Sequence, residues 1–271
     1  MAKDRETKST RDKAAAARAE QVAKEKRRER TVRIIGAVGV IVAVLAIIGV
    51  AVFASRSGDS SANGVTPLPP PDPNAAIPTG VYGADGVAPW GVPVGSAPET
   101  APLLELWEDF QCPACGSLEE LNGAGIQSLA TEGKVRRVWR PTAFLDNNLG
   151  NNSSAAAINA FGCAIDAGKT VEYHDAIFAN QPTTEGEGWT NDQFVSFAEQ
   201  AGITGVPLEQ FNDCLTSNKY LGWAANSTQA FYDAKIEGTP RGVLNGTPID
   251  GAQLADQATL EKLIEEAAAK Q

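Results

Sequence analysis

The sequence predicts an α/β domain, a sheet covered by helices with a helical insertion in its middle, held behind a membrane-crossing segment and a proline-rich linker. Three observations predict it. Element patterns follow one another as strand, Cys-x-x-Cys, helix, strand, helices, hairpin, helix; residues 34–54 run without a charge; and prolines crowd between that run and the patterned region. The chain has 271 residues, 43% of them hydrophobic and 21% charged. That balance suits one globular domain with appendages and excludes a disordered or collagen-like chain.

Residues 1–33 contain 12 basic and 6 acidic side chains, which leaves 11 basic against 27 acidic in the rest. The acidic remainder cannot follow a phosphate backbone, so no nucleic-acid partner is expected. The basic tail is rich in Ala, Lys, Glu and Arg and lacks an apolar stripe, which fits a solvated helix next to a membrane. From Ile34 to Ala54, 21 residues carry no charge. As a helix they would span about 31 Å, one bilayer. Six basic residues from Lys24 to Arg33 precede the run and only Arg56 closely follows it. The positive-inside rule therefore puts the N-terminus in the cytoplasm and the C-terminal part outside. A cleaved signal peptide is the competing reading, with Val52-Phe53-Ala54 as its cleavage site. The long charged region and long apolar core favour an uncleaved, single-pass anchor in the plasma membrane. Residues 55–85, dominated by Ser, Gly, Pro, Asn and Ala, form the linker. The folded unit is residues 86–271, with the insertion at about 150–237.

Within that unit, Leu103 to Glu108 is a short apolar run that predicts a strand ending just before Cys112. Cys112-Pro113-Ala114-Cys115 then opens a helix, because Leu118, Leu121 and Ile126 recur at helical spacing and Pro113 suits a first turn. Val135 to Trp139 predicts a second strand. Ser154 to Ala167 is apolar nearly all round, so that helix should be buried. Thr190 to Gln193 is a capping box that opens another helix, ended by Gly202. A further helix carries Leu208, Phe211, Cys214 and Leu215. Asn245-Gly246 between short extended runs predicts a hairpin, and residues 256–270 predict the last helix.

The cysteines carry the chemistry. Thiol–disulfide exchange needs a thiolate that attacks and a second thiol that resolves the mixed disulfide. Cys112 at a helix start is the expected nucleophile, since unpaired N–H groups favour its thiolate, and Cys115 is the inward resolving thiol. A cysteine of ordinary pKa, about 8.5, is only a few percent ionised at neutral pH. Cys163 and Cys214 leave no odd thiol. Outside the cytoplasm they are expected to form a structural disulfide worth roughly 4 kcal/mol in the chain-entropy model; two separately buried thiols are the alternative. The four sulfurs could instead hold zinc, but the second pair lacks the close spacing of a zinc ribbon. No cofactor or metal is therefore expected.

The segments WEDFQCPACGSLEE, YHDAIFANQP and EGTPRGVLNG, in that order, resemble the DsbA-like thiol-disulfide oxidoreductases of the thioredoxin superfamily, in particular the membrane-anchored extracytoplasmic forms of actinobacteria. The resemblance covers about Leu103 to the C-terminus. It implies a thioredoxin fold with an inserted helical domain, Cys112 attacking and Cys115 resolving, and Pro240 as a cis-proline facing them. A cis bond there would leave the Thr239 backbone free to pair with an extended substrate. The implied partners are thiol-containing secreted or envelope proteins and a membrane redox partner that reoxidises the dithiol. A reductase or isomerase of the same fold, or a non-catalytic binding module, would share these features.

Three positions depart from the family pattern. Leu106 stands six residues before Cys112, where the family often has a buried acid, and the role is not transferred to Glu105, Glu108 or Asp109. Arg241-Gly242 follows Pro240 where apolar residues are usual. The dipeptide between the cysteines is Pro-Ala, not Pro-His. His174, the only histidine, is expected at the surface or as a capping residue.

Overall fold

The computed structural model describes residues 68–270. The tail and the apolar run at 34–54 lie outside the described residues, and among the described residues no helix is long and apolar enough to cross a membrane. One five-stranded sheet has the order β1-β3-β2-β4-β5. Its strands are β1 (Val92–Val94), β2 (Leu103–Glu108), β3 (Arg136–Pro141), β4 (Arg241–Leu244) and β5 (Thr247–Ile249). Only β2 and β3 are parallel; the other neighbours are antiparallel. Two parallel neighbours need a crossover, and helix α1 (Pro113–Leu118), a π-helical segment Glu119–Gly123 and α2 (Ala124–Thr131) supply it.

Between β3 and β4 the chain makes α3 (Phe144–Leu149), α4 (Ser153–Asp166), α5 (Thr170–Ala179), α6 (Asn191–Gln200), α7 (Val206–Thr216) and α8 (Leu221–Asp233). After the hairpin come α9 (Gly251–Ala255) and α10 (Gln257–Ala268). Helix α4 is buried at nearly every position from Ser154 to Ile165, as its all-round apolar pattern requires. Cys163 on α4 and Cys214 on α7 are bridged, with Cα atoms 5.8 Å apart. With that pair bonded and Cys112 and Cys115 free, the four sulfurs form no common metal site. Thr190 caps α6 with both reciprocal bonds of a capping box.

Several elements were not read from the pattern. β1 is too short to show a period, yet it pairs with β3 at the sheet edge. α8 carries Asn226, Ser227 and Thr228, polar residues that are all buried. They are buried because they bond to backbone elsewhere: the Ser227 hydroxyl donates to the Pro141 carbonyl at 2.5 Å and Thr228 Oγ1 accepts from the Ala143 N–H at 2.9 Å. The domain also begins earlier than residue 86. Asn226 exchanges two bonds with the Asp72 backbone, Asp166 accepts from the Thr79 N–H, and Leu68 and Ile77 pack on the core. The proline content of residues 68–85 had suggested a linker, but side chains from the insertion hold this segment in place.

Period-two alternation decides what each sheet face carries. On one face β2 places Leu104, Leu106 and Glu108, beside Arg137 and Trp139 of β3; the Arg137 guanidinium lies 4.0 Å over the Trp139 ring. On the other, Arg140 lies 4.1 Å over Trp107 and pairs with Glu105. Gly242 of β4 sits opposite Leu106 and Ile249. A Cβ there would come within 2.4 Å of Ile249 Cγ1, so glycine follows Arg241 because Ile249 and Leu254 already fill the space.

Candidate functional site

The first two helical turns after β2 present the cysteines. Cys112 is the N-cap of α1, with extended backbone angles, and Pro113 takes the first helical position. Cys112 is 7% exposed and Cys115 is 0% exposed. The chain reaches this turn through a hydrogen bond from the Cys112 N–H to the Asp109 carbonyl, 2.9 Å. Gln181, just beyond α5, donates its side-chain amide to the carbonyls of Phe110 at 2.8 Å and Cys112 at 3.0 Å. It thereby ties the reactive turn to the insertion.

Opposite Cys112 lies the Thr239-Pro240 peptide, which is cis. The Cys112 thiol donates to the Thr239 carbonyl at 3.4 Å. The hydrogen bond from the Cys115 thiol pulls the pKa of Cys112 from 9.0 down to about 7; burial opposes it, and Thr239 with the N–H groups of Cys115 and Ala114 assists. Burial drives the Cys115 thiol well upward, with the bond to Cys112 and the charges of Cys112 and Glu108 adding to it. One pair thus contains one thiol ready to ionise and one held protonated, the division of labour that exchange requires.

Beneath the dithiol lies an ion cluster that sequence reasoning missed. Glu108, the last residue of β2, is 4% exposed, and His174 of α5 is 2% exposed. His174 Nε2 stands 3.4 Å from Glu108 Oε2, and Nδ1 3.3 Å from Asp175 Oδ1. The imidazole stacks on Trp139, ring centroids 3.8 Å apart, and Phe110, Phe161 and Phe178 surround it. The surface or capping place expected for His174 is therefore wrong: α5 turns it toward the sheet, and the lone imidazole finds its carboxylate four residues before Cys112. Burial and the nearby Glu119 lift Glu108 from 4.5 to about 7, against the pull of His174 and Arg137. Burial acts to lower His174, but its contacts with Asp175, Glu108 and Glu119 outweigh that and lift it to about 9.

Glu108, Glu119 and His174 bring one donor atom each within 4.8 Å of one another. That set could suit a metal by donor type, yet Arg137, itself buried, stands 3.5 Å from Glu119. The guanidinium is the counter-cation of this cluster, and a divalent ion would have to share the space with it. A second buried network is built on Asp109 and Asp146. Asp109 accepts from Ser154 and from the N–H groups of Gln111 and Leu145, and Asp146 accepts from the N–H groups of Ser154 and Ala155 and from the Gln111 amide. Gln111, the residue before the nucleophile, is thus held from the insertion as well.

The motif and its spacing pointed to Cys112 and Cys115, the family resemblance implied Thr239 and Pro240, and the fold brings all four together. Cys163 and Cys214 lie apart from them, within the insertion. A signal for Glu108 was present, since a carboxylate on the Leu104-Leu106 face of a central strand is out of place in a solvated role. Nothing local announced that His174 would meet it.

Comparison with known proteins agrees with this geometry. A family model described as Thioredoxin matches residues 93–266. No curated protein matches the chain. Among solved structures, the chain is similar to MdbA, a thiol-disulfide oxidoreductase from Actinomyces oris, with a TM-score of 0.59 and 23% identity over 70% of this chain and 92% of that one. It is similar to the disulfide bond oxidoreductase DsbG from Mycobacterium tuberculosis, in its reduced form, with a TM-score of 0.53 and 26% identity over 68% and 96%. For BdbD from Bacillus subtilis the TM-score is 0.58 at 18% identity, over 71% and 98%. With more than half its length matched by that family model, the chain belongs to the thioredoxin family, and its fold is DsbA-like.

Proposed function

We propose that the protein is a thiol-disulfide oxidoreductase that forms disulfides in secreted or cell-envelope proteins through the Cys112–Cys115 pair. The observation that supports this most is the unequal pair itself: an acidified Cys112 at a helix start beside the Thr239 carbonyl, with Cys115 sealed behind it. A substrate thiolate attacks Cys112 Sγ of the oxidised pair, and Cys115 leaves as thiolate. The substrate's second thiol then attacks the mixed disulfide, the substrate departs oxidised, and the enzyme departs reduced. Two electrons pass from substrate to enzyme, and a membrane redox partner takes them on. Thr239 and Pro240 offer the edge against which an extended substrate segment lies. Residues 34–54 anchor the chain, with the N-terminus cytoplasmic and the folded domain outside. In that compartment the Cys163–Cys214 bridge is stable.

The test is to replace Cys115 with alanine in the full chain. Substrate proteins should then accumulate as mixed disulfides on Cys112, and failure to trap any overturns the reading. The direction of electron flow follows from the redox potential and from whether the oxidised protein refolds a reduced substrate. A reducing potential without refolding activity would assign the protein as a reductase.

A further inference from the structure

A single side-chain nitrogen holds the backbone at Cys112. Gln181 Nε2 donates to the carbonyl of Phe110 at 2.8 Å and to that of Cys112 at 3.0 Å, so both hydrogens of the amide are spent on the reactive turn. Two carbonyl partners also fix which way the amide faces, because the opposite orientation would set its oxygen against both. The Cys112 carbonyl is the first acceptor of α1, taking the N–H groups of Cys115 at 3.1 Å and Gly116 at 3.2 Å. The N–H groups of Ala114 and Cys115 are the backbone donors that favour the Cys112 thiolate. Where they point depends on the plane of the Cys112–Pro113 peptide. Residue 113 is proline, so that peptide has no N–H to anchor it and its carbonyl is the only polar handle. The other end of the amide explains a glycine. Gly116 lies inside α1, where glycine is unfavourable, yet the three nearest atoms to a Cβ built there all belong to Gln181: Oε1 at 2.4 Å, Cδ at 3.2 Å and Nε2 at 3.6 Å. Gln181 is itself braced by the insertion. Its N–H donates to the Phe178 carbonyl, the neighbouring Asn180 side chain donates to Ala176 and to Gln200 of α6, and Trp189 donates to the Asn180 carbonyl.

We infer that Gln181, from the inserted domain, is a positioning residue for thiol–disulfide exchange: its amide holds the Cys112–Pro113 peptide so that the first N–H groups of α1 aim at the Cys112 sulfur, and Gly116 is glycine to leave that amide its place. The inference rests on the dithiol reading above and assigns the insertion a part in it. Without the amide, the peptide is free to turn about the proline junction, the N–H groups lose their direction, and the thiolate loses part of its stabilisation. A methyl group at Gly116 has the same effect by another route. Gln181 Oε1 is the end of a flexible side chain and gives way, taking Nε2 off the two carbonyls. The titratable and charged groups on the elements around the turn are Cys115 on α1, Glu108 and the following Asp109 at the end of β2, Glu119 on the π segment, His174 and Asp175 on α5, and Arg241 on β4. Neither substitution changes any of them, so a moved Cys112 titration reports the geometry of the turn.

The experiment follows iodoacetamide alkylation of Cys112 against pH in the reduced full chain, with mass analysis to separate the two cysteines. Gln181→Met keeps the length of the side chain and removes both donors. It should raise the Cys112 midpoint from about 7 by about one unit, which lowers the ionised fraction at pH 7 from about half to about a tenth. Gly116→Ala should raise the midpoint in the same direction, although alanine suits a helix better than glycine. The double variant should go no further than the larger single shift, because the second substitution finds the amide already displaced. A midpoint within about 0.3 unit of wild type in Gln181→Met or in Gly116→Ala, or shifts that add in the double variant, overturns the proposal. Should Gln181→Met fail to fold, Gly116→Ala decides. A wild-type midpoint at the ordinary value of about 8.5 counts against the dithiol reading itself, whereas a wild-type midpoint of about 7 with unmoved variants counts against the role of Gln181 alone.

Discussion

At the sulfur of Cys112, burial works against ionisation while hydrogen bonds work for it, and the hydrogen bonds win. The bond from Cys115 is the largest of these influences, so the acidity belongs to the pair and not to the helix start alone. Alkylation of the reduced protein with iodoacetamide, resolved by mass, should show Cys112 reacting with a midpoint at about pH 7 and Cys115 unreactive until the protein unfolds. A Cys112 midpoint at the ordinary cysteine value of about 8.5 would remove the basis for its role as nucleophile. The motif made the two sulfurs legible in the sequence, because three residues of separation on a helix start allows little else. It could not show how unequal they are, since the burial of Cys115 comes from packing against distant helices and the approach of Thr239 from chain more than a hundred residues away.

At the scale of elements, the insertion is held to itself by one covalent bond and to the sheet by buried polar contacts. Replacing Cys163 and Cys214 together by alanine removes a closure across 51 residues and should lower stability by about 4 kcal/mol in denaturant titration. The reactive pair is far from this bridge in sequence and in role, so the Cys112 alkylation midpoint should not move. In the hairpin, Gly242→Val should cost about 1–3 kcal/mol, read as a lower urea midpoint, because the added side chain meets Ile249 of the edge strand β5. Asn245 and Gly246 turn that hairpin with positive φ at both positions, the geometry their sequence announces. α8 was hidden for the opposite reason: its buried Asn, Ser and Thr imitate a solvated loop, and only their partners on Asp72, Pro141 and Ala143 explain them.

Across the whole molecule, buried acids set the pH response. Burial raises Asp146 from 3.8 to about 6 and, with Glu119, Glu108 from 4.5 to about 7. The folded state therefore keeps protons that the unfolded state releases, so these groups take stability away as pH rises from about 4 toward 7. His174, lifted from 6.5 to about 9, contributes stability that is complete below about 6.5 and lost as pH passes 9. Both effects have the same sign. The thermal midpoint of the protein with its Cys112–Cys115 pair oxidised, in which Cys112 does not titrate, should be higher at pH 5 than at pH 8.5, and His174→Gln should flatten the alkaline part of that slope. A midpoint that rises steadily from pH 5 to 8.5 would contradict the buried acid assignments.

The sequence by itself determined the class of fold, the Cys-x-x-Cys at a helix start, the hairpin and the buried central helix of the insertion, because each is written in local spacing or period. The tertiary structure alone decided that Glu108 and His174 meet, that Gly242 makes room for Ile249, and that residues 68–85 belong to the folded domain. These depend on which surfaces the chain brings opposite one another. A lone imidazole or a proline-rich segment carries no pattern that names its partner; its environment is set by the packing of α5 and α8 against the sheet.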